Sequence, residues 1–213
     1  MQKEFTSFQF RARYHVLGNL SKNTRSLWFV LHGQGQLGQY FAKNFEPVVS
    51  EDTCVIIPEG LSRYYLEGFT GRVGASWMTK EERLTDIENY LTYLDSVYEQ
   101  VLLNPLNNLG SITLLGFSQG TATASRWIIT GNVHFNRLIL WAGMFPPDLD
   151  FEKGTERLND VEVLSVTGRS DQFLTKELLI EQKELSTKLG ITPKEIQFDG
   201  GHEIDTKTLL RIG

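Results

Sequence analysis

The chain has 213 residues, a formal net charge of −5, 40% hydrophobic and 22% charged residues, and one cysteine. These values are those of an ordinary globular protein with a sizeable core, and they argue against disorder. The length is typical of one α/β domain, so residues 1–213 are expected to form a single domain. The acidic balance and the lack of a Lys/Arg run argue against a nucleic-acid partner.

Cysteine content and hydropathy bear on location. Cys54 is the only cysteine, so the chain cannot form an internal disulfide, and nothing indicates an oxidising compartment. It lies in the apolar run 54–57, which favours a buried strand residue over a reactive thiol. No stretch approaches the roughly 18 apolar residues of a membrane span, and no signal-like apolar block opens the chain. We expect a cytoplasmic protein without stable membrane insertion.

Hydrophobic periodicity predicts alternating strands and helices. Alternation from Phe8 to Val16 predicts a half-buried strand at a sheet edge, and residues 59–80 are expected to be irregular. Further strands are predicted at 26–31, 54–58, 111–116, 137–142, 161–167 and 194–198, and helices at 40–45, 81–103, 119–130, 174–189 and 204–210. Such alternation predicts a mostly parallel sheet with helices on both faces and an antiparallel N-terminal edge strand, without a large lid.

The segment Gly116-Phe117-Ser118-Gln119-Gly120 fits the G-x-S-x-G pattern. A serine hydroxyl is a weak nucleophile that must be exposed beside a base, and a sharp turn from strand to helix provides that exposure. An apolar run precedes the motif and a helix-compatible run follows it, as this context requires. The alternative is a glycine-rich turn that only packs a helix on a strand. We take Ser118 as the candidate nucleophile.

The candidate base is His202, which lies in a Gly-Gly-His-Glu segment directly after the last predicted strand. A loop at that position can deliver an imidazole to the serine. The alternative is an ordinary surface histidine. His15 and His134 are expected to face solvent, and His32 precedes the serine in the chain, against the usual order.

The candidate acid is Asp171, which follows the strand predicted at 161–167. A carboxylate there can accept the second N–H of the histidine and fix its tautomer. The resulting chain order, Ser, Asp, His, is that of α/β hydrolases. Asp148, Asp150 and Asp160 are rivals that precede the strand, and the alternative role for Asp171 is a helix N-cap.

The glycine-rich loop 32–35, His-Gly-Gln-Gly, follows an early strand. Acyl transfer builds negative charge on a carbonyl oxygen, which fixed backbone N–H groups stabilise. We expect one N–H from Gln119, next to the nucleophile, and the other from Gln34. The alternative is a plain glycine turn.

Together, HGQG, GFSQG and GGHEI resemble the motifs of the small carboxylesterases and acyl-protein thioesterases, the phospholipase/carboxylesterase family of α/β hydrolases, over roughly residues 26–205. The resemblance implies no metal and no organic cofactor. Three positions depart from the family pattern. Gln36 stands where an acidic residue usually follows the HGxG loop, Thr121 replaces a second glycine after the elbow, and Asp171 is not followed by the usual x-x-V-P.

The substrate pocket is predicted only from apolar side chains in loops at strand ends, since acyl pockets are largely apolar. Trp77 and Phe145 are the preferred candidates, and the others are Phe69, Met144, Phe173 and Leu174. Each of them has ordinary core packing as its alternative.

These features predict a hydrolase of small-molecule esters or thioesters that works through an acyl-enzyme, in the first instance a carboxylesterase. A lysophospholipase or an acyl-protein thioesterase is the alternative. A peptidase or a non-catalytic binding module on the same scaffold is less favoured, because no gating domain is evident and no triad residue is missing.

Overall fold

The computed structural model describes all residues, 1–213. The strands are β1 (Tyr14–Leu17), β2 (Ser26–Leu31), β3 (Thr53–Pro58), β4 (Ser62–Tyr65), β5 (Val73–Ser76), β6 (Ser111–Phe117), β7 (Arg137–Trp141), β8 (Glu162–Gly168) and β9 (Lys194–Phe198). The helices are α1 (Gly38–Phe41), which continues as a 3-10 helix (Ala42–Val48), α2 (Arg83–Leu102), α3 (Gln119–Thr130), α4 (Phe151–Leu158), α5 (Lys176–Lys188) and α6 (Thr206–Ile212).

Seven strands form one sheet in the order β1-β3-β2-β6-β7-β8-β9. Every neighbouring pair is parallel except β1 with β3, which is antiparallel. The predicted α/β-hydrolase architecture with its antiparallel edge strand is therefore confirmed. The carboxyl ends of the parallel strands meet at one edge, where the loops after β2, β6, β8 and β9 come together.

Both faces of the sheet are buried. Along β2, Leu27, Phe29 and Leu31 belong to one apolar cluster, while Trp28 and Val30 belong to the cluster on the opposite face. This alternation is the period-two geometry of a strand. Because helices cover both faces, the strand is an uninterrupted apolar run rather than an alternating one.

The edge strand β1 is shorter than predicted. It begins at Tyr14, which pairs with Pro58, the last residue of β3. Phe8 and Phe10, included in the predicted strand, are 78% and 54% exposed. The prediction was wrong for residues 8–13 because β3 ends before it reaches them.

Residues 59–80, predicted as irregular, contain the antiparallel β4–β5 hairpin. All four residues of β4 are exposed, so the segment lacks the alternation of apolar and polar residues that would predict a strand. Gly74 of β5 packs directly on Gly35, and a Cβ at Gly74 would lie 2.5 Å from the Gly35 carbonyl oxygen. The hairpin therefore lies against the HGQG loop, a long-range contact that local sequence does not reveal.

Helix α4 was not predicted, because Gly154 interrupts a short polar segment there. Its N-cap is Asp150, whose carboxylate accepts a hydrogen bond from the Lys153 N–H. None of the helices is both long and apolar enough to cross a membrane.

Candidate active site

Ser118 occupies the sharp turn between β6 and α3. Its φ is 54° and its ψ −118°, a region that costs a non-glycine residue about 1–3 kcal/mol. The Ser118 N–H donates to the Trp141 carbonyl, 2.9 Å away, which ties the turn to β7. The motif glycines allow close backbone approach: a Cβ on Gly120 would overlap the Leu31 carbonyl oxygen, and one on Gly116 would overlap Gly120.

Asp171 and His202 lie on adjacent loops that extend the β8–β9 pairing. The Arg169 N–H donates to the Phe198 carbonyl and the Ser170 N–H to the Gly200 carbonyl, each at 2.9 Å. Asp171 Oδ2 lies 2.8 Å from His202 Nδ1, and its carboxylate is fully buried. The sequence separated these residues by about thirty positions, and the structure joins them by a hydrogen bond.

The His202 imidazole is held between two aromatic rings. Its centroid lies 5.0 Å from the Phe117 ring and 4.7 Å from the Phe173 ring. The Trp141 indole N–H donates to the carbonyl of Glu203, the residue after His202, and this hydrogen bond anchors the loop. With Nδ1 engaged by Asp171, Nε2 is the nitrogen left for proton transfer. The Ser118 hydroxyl forms no hydrogen bond here; such contacts are often long in unliganded enzymes and tighten with substrate.

The HGQG loop lies against the nucleophile. A Cβ on Gly33 would be 3.2 Å from Ser118 Cβ. The Gly33 N–H donates to Gln36 Oε1 at 2.8 Å, the Gly35 N–H to the Ala75 carbonyl at 2.8 Å, and the Gln36 N–H to the Gly33 carbonyl at 3.3 Å.

The backbone N–H groups of Gln34 and Gln119 have no hydrogen-bond partner in the protein. They are the two that the sequence predicted as oxyanion donors. The Gln119 N–H is free because it opens α3, where no preceding turn offers a carbonyl. A helix N-terminus also favours negative charge nearby.

His32 is not available as a base. It is fully buried, and burial lowers the pKa of its imidazole below the usual 6.5. The Gly60 N–H donates to Nε2 at 2.9 Å, so Nε2 carries no proton and Nδ1 donates to the Gly33 carbonyl at 2.7 Å. Both ring nitrogens are therefore used inside the protein.

The rival acids have other partners. Asp148 accepts hydrogen bonds from Arg83 and Arg126, with the shortest contacts at 2.6 and 2.7 Å. Burial alone would raise its carboxyl pKa, but these two arginines outweigh that effect and hold the pKa below its usual value. Asp150 caps α4, and Asp160 is exposed beside Asn159.

The two preferred pocket residues are buried in the core. Trp77 is 2% exposed and Phe145 1%. The Trp77 ring lies 5.0 Å from the His32 ring, and the Phe145 N–H donates to Gln182 Oε1 at 2.9 Å. Neither side chain offers a surface to a substrate, which argues against the direct contact expected from sequence.

The remaining pocket candidates are at least partly accessible. Phe173 is 58% exposed and packs on His202, which makes it the candidate in contact with the triad. Leu174 and Met144 are half-buried in the loops after β8 and β7. Phe69 is 93% exposed in the turn of the β4–β5 hairpin.

Sequence reasoning missed two neighbours of the HGQG loop on this hairpin, the hydroxyl of Tyr64 and the apolar side chain of Leu66. The Tyr64 hydroxyl and Leu66 Cδ2 would lie 3.6 and 3.3 Å from a Cβ at Gly35. Both side chains are more than a third exposed, so they line the loop from the solvent side.

No group of three or more His, Cys, Asp or Glu side chains is arranged to hold a metal ion.

The sequence pattern of the Phospholipase/Carboxylesterase family matches residues 15–212, nearly the whole chain. The chain belongs to the phospholipase/carboxylesterase family. This confirms the resemblance drawn from the HGQG, GFSQG and GGHEI segments. Members of this family are hydrolases of the carboxylesterase and thioesterase type, which act on small-molecule substrates. No curated protein sequence matches the chain significantly.

Solved structures of several esterases and a thioesterase have the same fold. Acyl-protein thioesterase 2 of Zea mays is 16% identical, with a TM-score of 0.69 over 95% of this chain and 96% of that one. Esterase PE8 is 21% identical, with a TM-score of 0.65 over 96% and 100% of the two chains. The Bacillus cereus carboxylesterase is 14% identical, with a TM-score of 0.63 over 94% and 91%. At these identities the likeness is evidence for the fold alone.

Proposed function

We propose that the protein is a serine hydrolase of carboxylic esters or thioesters, with Ser118 as nucleophile, His202 as base and Asp171 as the residue that orients the base. The observation that carries the proposal is the 2.8 Å hydrogen bond between Asp171 and His202. It occurs at the carboxyl ends of the parallel strands, where Ser118 has a positive φ and the N–H groups of Gln34 and Gln119 lack partners. Burial of the Asp171 carboxylate supports the role of a fixed acceptor.

In the proposed mechanism, His202 Nε2 removes the proton of Ser118 Oγ as Oγ attacks the carbonyl carbon. The N–H groups of Gln34 and Gln119 bind the oxygen that becomes negative. His202 then returns the proton to the leaving alcohol or thiol, which departs and leaves the acyl-enzyme. Water gives a proton to His202 and attacks the acyl carbonyl; the bond from the carbonyl carbon to Ser118 Oγ then breaks, His202 returns the proton to Oγ, and the acid is released. Asp171 keeps Nδ1 protonated and stabilises the imidazolium formed in each half-reaction.

For the substrate, a carboxylesterase acting on small esters is our first proposal, and lysophospholipase or acyl-protein thioesterase activity is the second. The chemistry is the same for all three activities. The family and the thioesterase among the structural neighbours support the second proposal. The exposed apolar side chains of Phe173, Tyr64 and Leu66 favour an acyl or alcohol group that is itself apolar. We further propose that residues 1–213 act as one catalytic domain in the cytoplasm, without metal, organic cofactor or nucleic-acid partner.

Covalent labelling tests the nucleophile. A fluorophosphonate probe, which reacts with activated serines, should modify Ser118, and Ser118→Ala should abolish labelling and esterase activity. Ser170→Ala is the matched control, because Ser170 is an exposed serine in the loop that carries Asp171. Peptide mass spectrometry that places the probe on another residue would refute the assignment.

A substrate panel separates the two activities. We would measure kcat/KM for p-nitrophenyl esters of increasing acyl length, for matched acyl thioesters, and for lysophosphatidylcholine. Short p-nitrophenyl esters should be the best substrates of a carboxylesterase. A preference for lysophosphatidylcholine or for long-chain thioesters would favour the second activity instead.

A further inference from the structure

The side chain of Gln119 does more than the sequence pattern assigns to it. Its Oε1 accepts a hydrogen bond from the Trp77 N–H at 3.0 Å, and its Nε2 donates to the Met78 carbonyl at 2.9 Å. Both Oε1 and Nε2 also lie 3.2 Å from Ser76 Oγ. The backbone partners are a pure donor and a pure acceptor, so the amide has only one satisfied orientation. The first residue of α3 is therefore attached to the segment that follows β5.

That segment continues the connection to His32. The Trp77 indole N–H donates to the His32 carbonyl at 2.8 Å, and its ring packs on the imidazole at 5.0 Å. His32 Nδ1 in turn donates to the Gly33 carbonyl at 2.7 Å. The hydrogen bonds from Trp77 to the His32 carbonyl and from His32 to the Gly33 carbonyl join buried groups, where a satisfied hydrogen bond rigidifies its surroundings.

The last link helps to fix the direction of the Gln34 N–H, together with the weaker hydrogen bond of 3.3 Å from the Gln36 N–H to the same Gly33 carbonyl. In a planar trans peptide the carbonyl and the next N–H point in opposite directions. A Gly33 carbonyl directed at His32 therefore turns the Gln34 N–H away from His32. The Gln36 side chain supports this orientation from the other side, through the Gly33 N–H.

We propose that the Gln119 side chain is a positioning residue that couples the two donors of the oxyanion hole. Its own backbone N–H is one donor, and its amide holds the other donor, the Gln34 N–H, through Trp77 and His32. The inference rests on the proposed serine-hydrolase function. It assigns Trp77 a role as well, as a link in this connection rather than as a wall of the substrate pocket.

The test uses Gln119→Met, which keeps the length of the side chain and its backbone N–H but removes the amide. Trp77→Phe removes the indole N–H, together with one ring of this buried side chain, and keeps an aromatic ring on His32. Outright loss of an oxyanion donor costs about 10²- to 10³-fold in kcat. A displaced donor costs less, and we expect each variant to lose about tenfold in kcat with little change in KM. A trifluoromethyl ketone, whose adduct with serine carries the oxyanion, should bind each variant about tenfold more weakly.

Coupling is measured with the double variant. If both side chains act through one connection, Gln119→Met combined with Trp77→Phe should cost about tenfold rather than about a hundredfold. Asn136→Leu is the control, because Asn136 also braces a backbone N–H, that of Ile112, but at the opposite end of the strands. It should lower the melting temperature and leave kcat and inhibitor affinity unchanged.

The outcomes separate the inference from the proposed function. Failure of the fluorophosphonate probe to label wild-type Ser118 would overturn both. Normal labelling with wild-type kcat and ketone affinity in the variants would overturn the inference alone, as would a double variant whose losses multiply. Should Gln119→Met not fold, Trp77→Phe decides by itself, since wild-type ketone affinity there breaks the proposed connection.

Discussion

The substitution Asp171→Asn tests the acid of the triad at the level of a single hydrogen bond. Asp171 Oδ1 accepts from the Phe173 N–H at 2.9 Å, and Oδ2 faces His202 Nδ1 at 2.8 Å. An asparagine must keep its oxygen toward the Phe173 N–H, because that group is a donor. Its NH₂ group then faces Nδ1 and forces the proton of the neutral imidazole onto Nε2. His202 would hold the wrong tautomer and could not accept the Ser118 proton.

The expected loss in kcat is about 10⁴-fold, the size observed for this tautomer error in another serine triad. It corresponds to about 5 kcal/mol in activation free energy. The fold should be kept, because the volume is unchanged and the Phe173 N–H retains its acceptor. The assay is the steady-state hydrolysis of one activated p-nitrophenyl ester, together with a melting curve for each variant.

Asp150→Asn is the matched control, since Asp150 caps α4 and asparagine caps as well as aspartate. It should change neither kcat nor the melting temperature appreciably. Asp148→Asn and Asp160→Asn complete the set of rival acids. If Asp171→Asn retains more than about a tenth of the wild-type rate while one of these variants collapses, the assignment of Asp171 is wrong.

Two further predictions concern buried titratable groups. Burial lowers the pKa of His32 below 6.5, so the unfolded chain binds more protons than the folded one just below that pH. The free energy of unfolding should therefore fall as the pH drops below about 6.5. In urea titrations between pH 5 and 7, the free energy of unfolding of His32→Gln should fall less steeply than that of the wild type. Parallel slopes for the two proteins would contradict this. Burial also raises the pKa of Cys54 to about 11, so Ellman's reagent should titrate one thiol per chain only after unfolding. Rapid stoichiometric reaction of the native protein would show that the thiol is accessible.

Local sequence patterns were sufficient for the elements whose two faces are both buried. The run 26–31 and the helix 119–130 appear in the structure with the predicted bounds. The strand must be apolar because both of its faces touch the core, so its composition reports its structure directly. The same holds for the family motifs, because the close approach of Gly120 to Leu31 tolerates no side chain.

Segments whose structure depends on distant partners were predicted less well. The β4–β5 hairpin is exposed and glycine-rich, and it exists because Gly74 packs on Gly35 and Ala75 bonds with Gln36. Residues 8–13 alternate like a strand, but they extend past the end of β3. In both cases the deciding contact lies tens of residues away along the chain.

The same distinction applies to the candidate site. Residue types and chain order select Ser118, Asp171, His202 and the loop around Gln34 as candidates. The burial of Trp77 and the hydrogen bonds of Gln119 to residues more than forty positions earlier exist only in the folded chain. A sequence states which groups are present, whereas accessibility and orientation depend on how the sheet brings its loops together. The tertiary structure alone therefore decides which aromatic side chains face solvent and which support the HGQG loop.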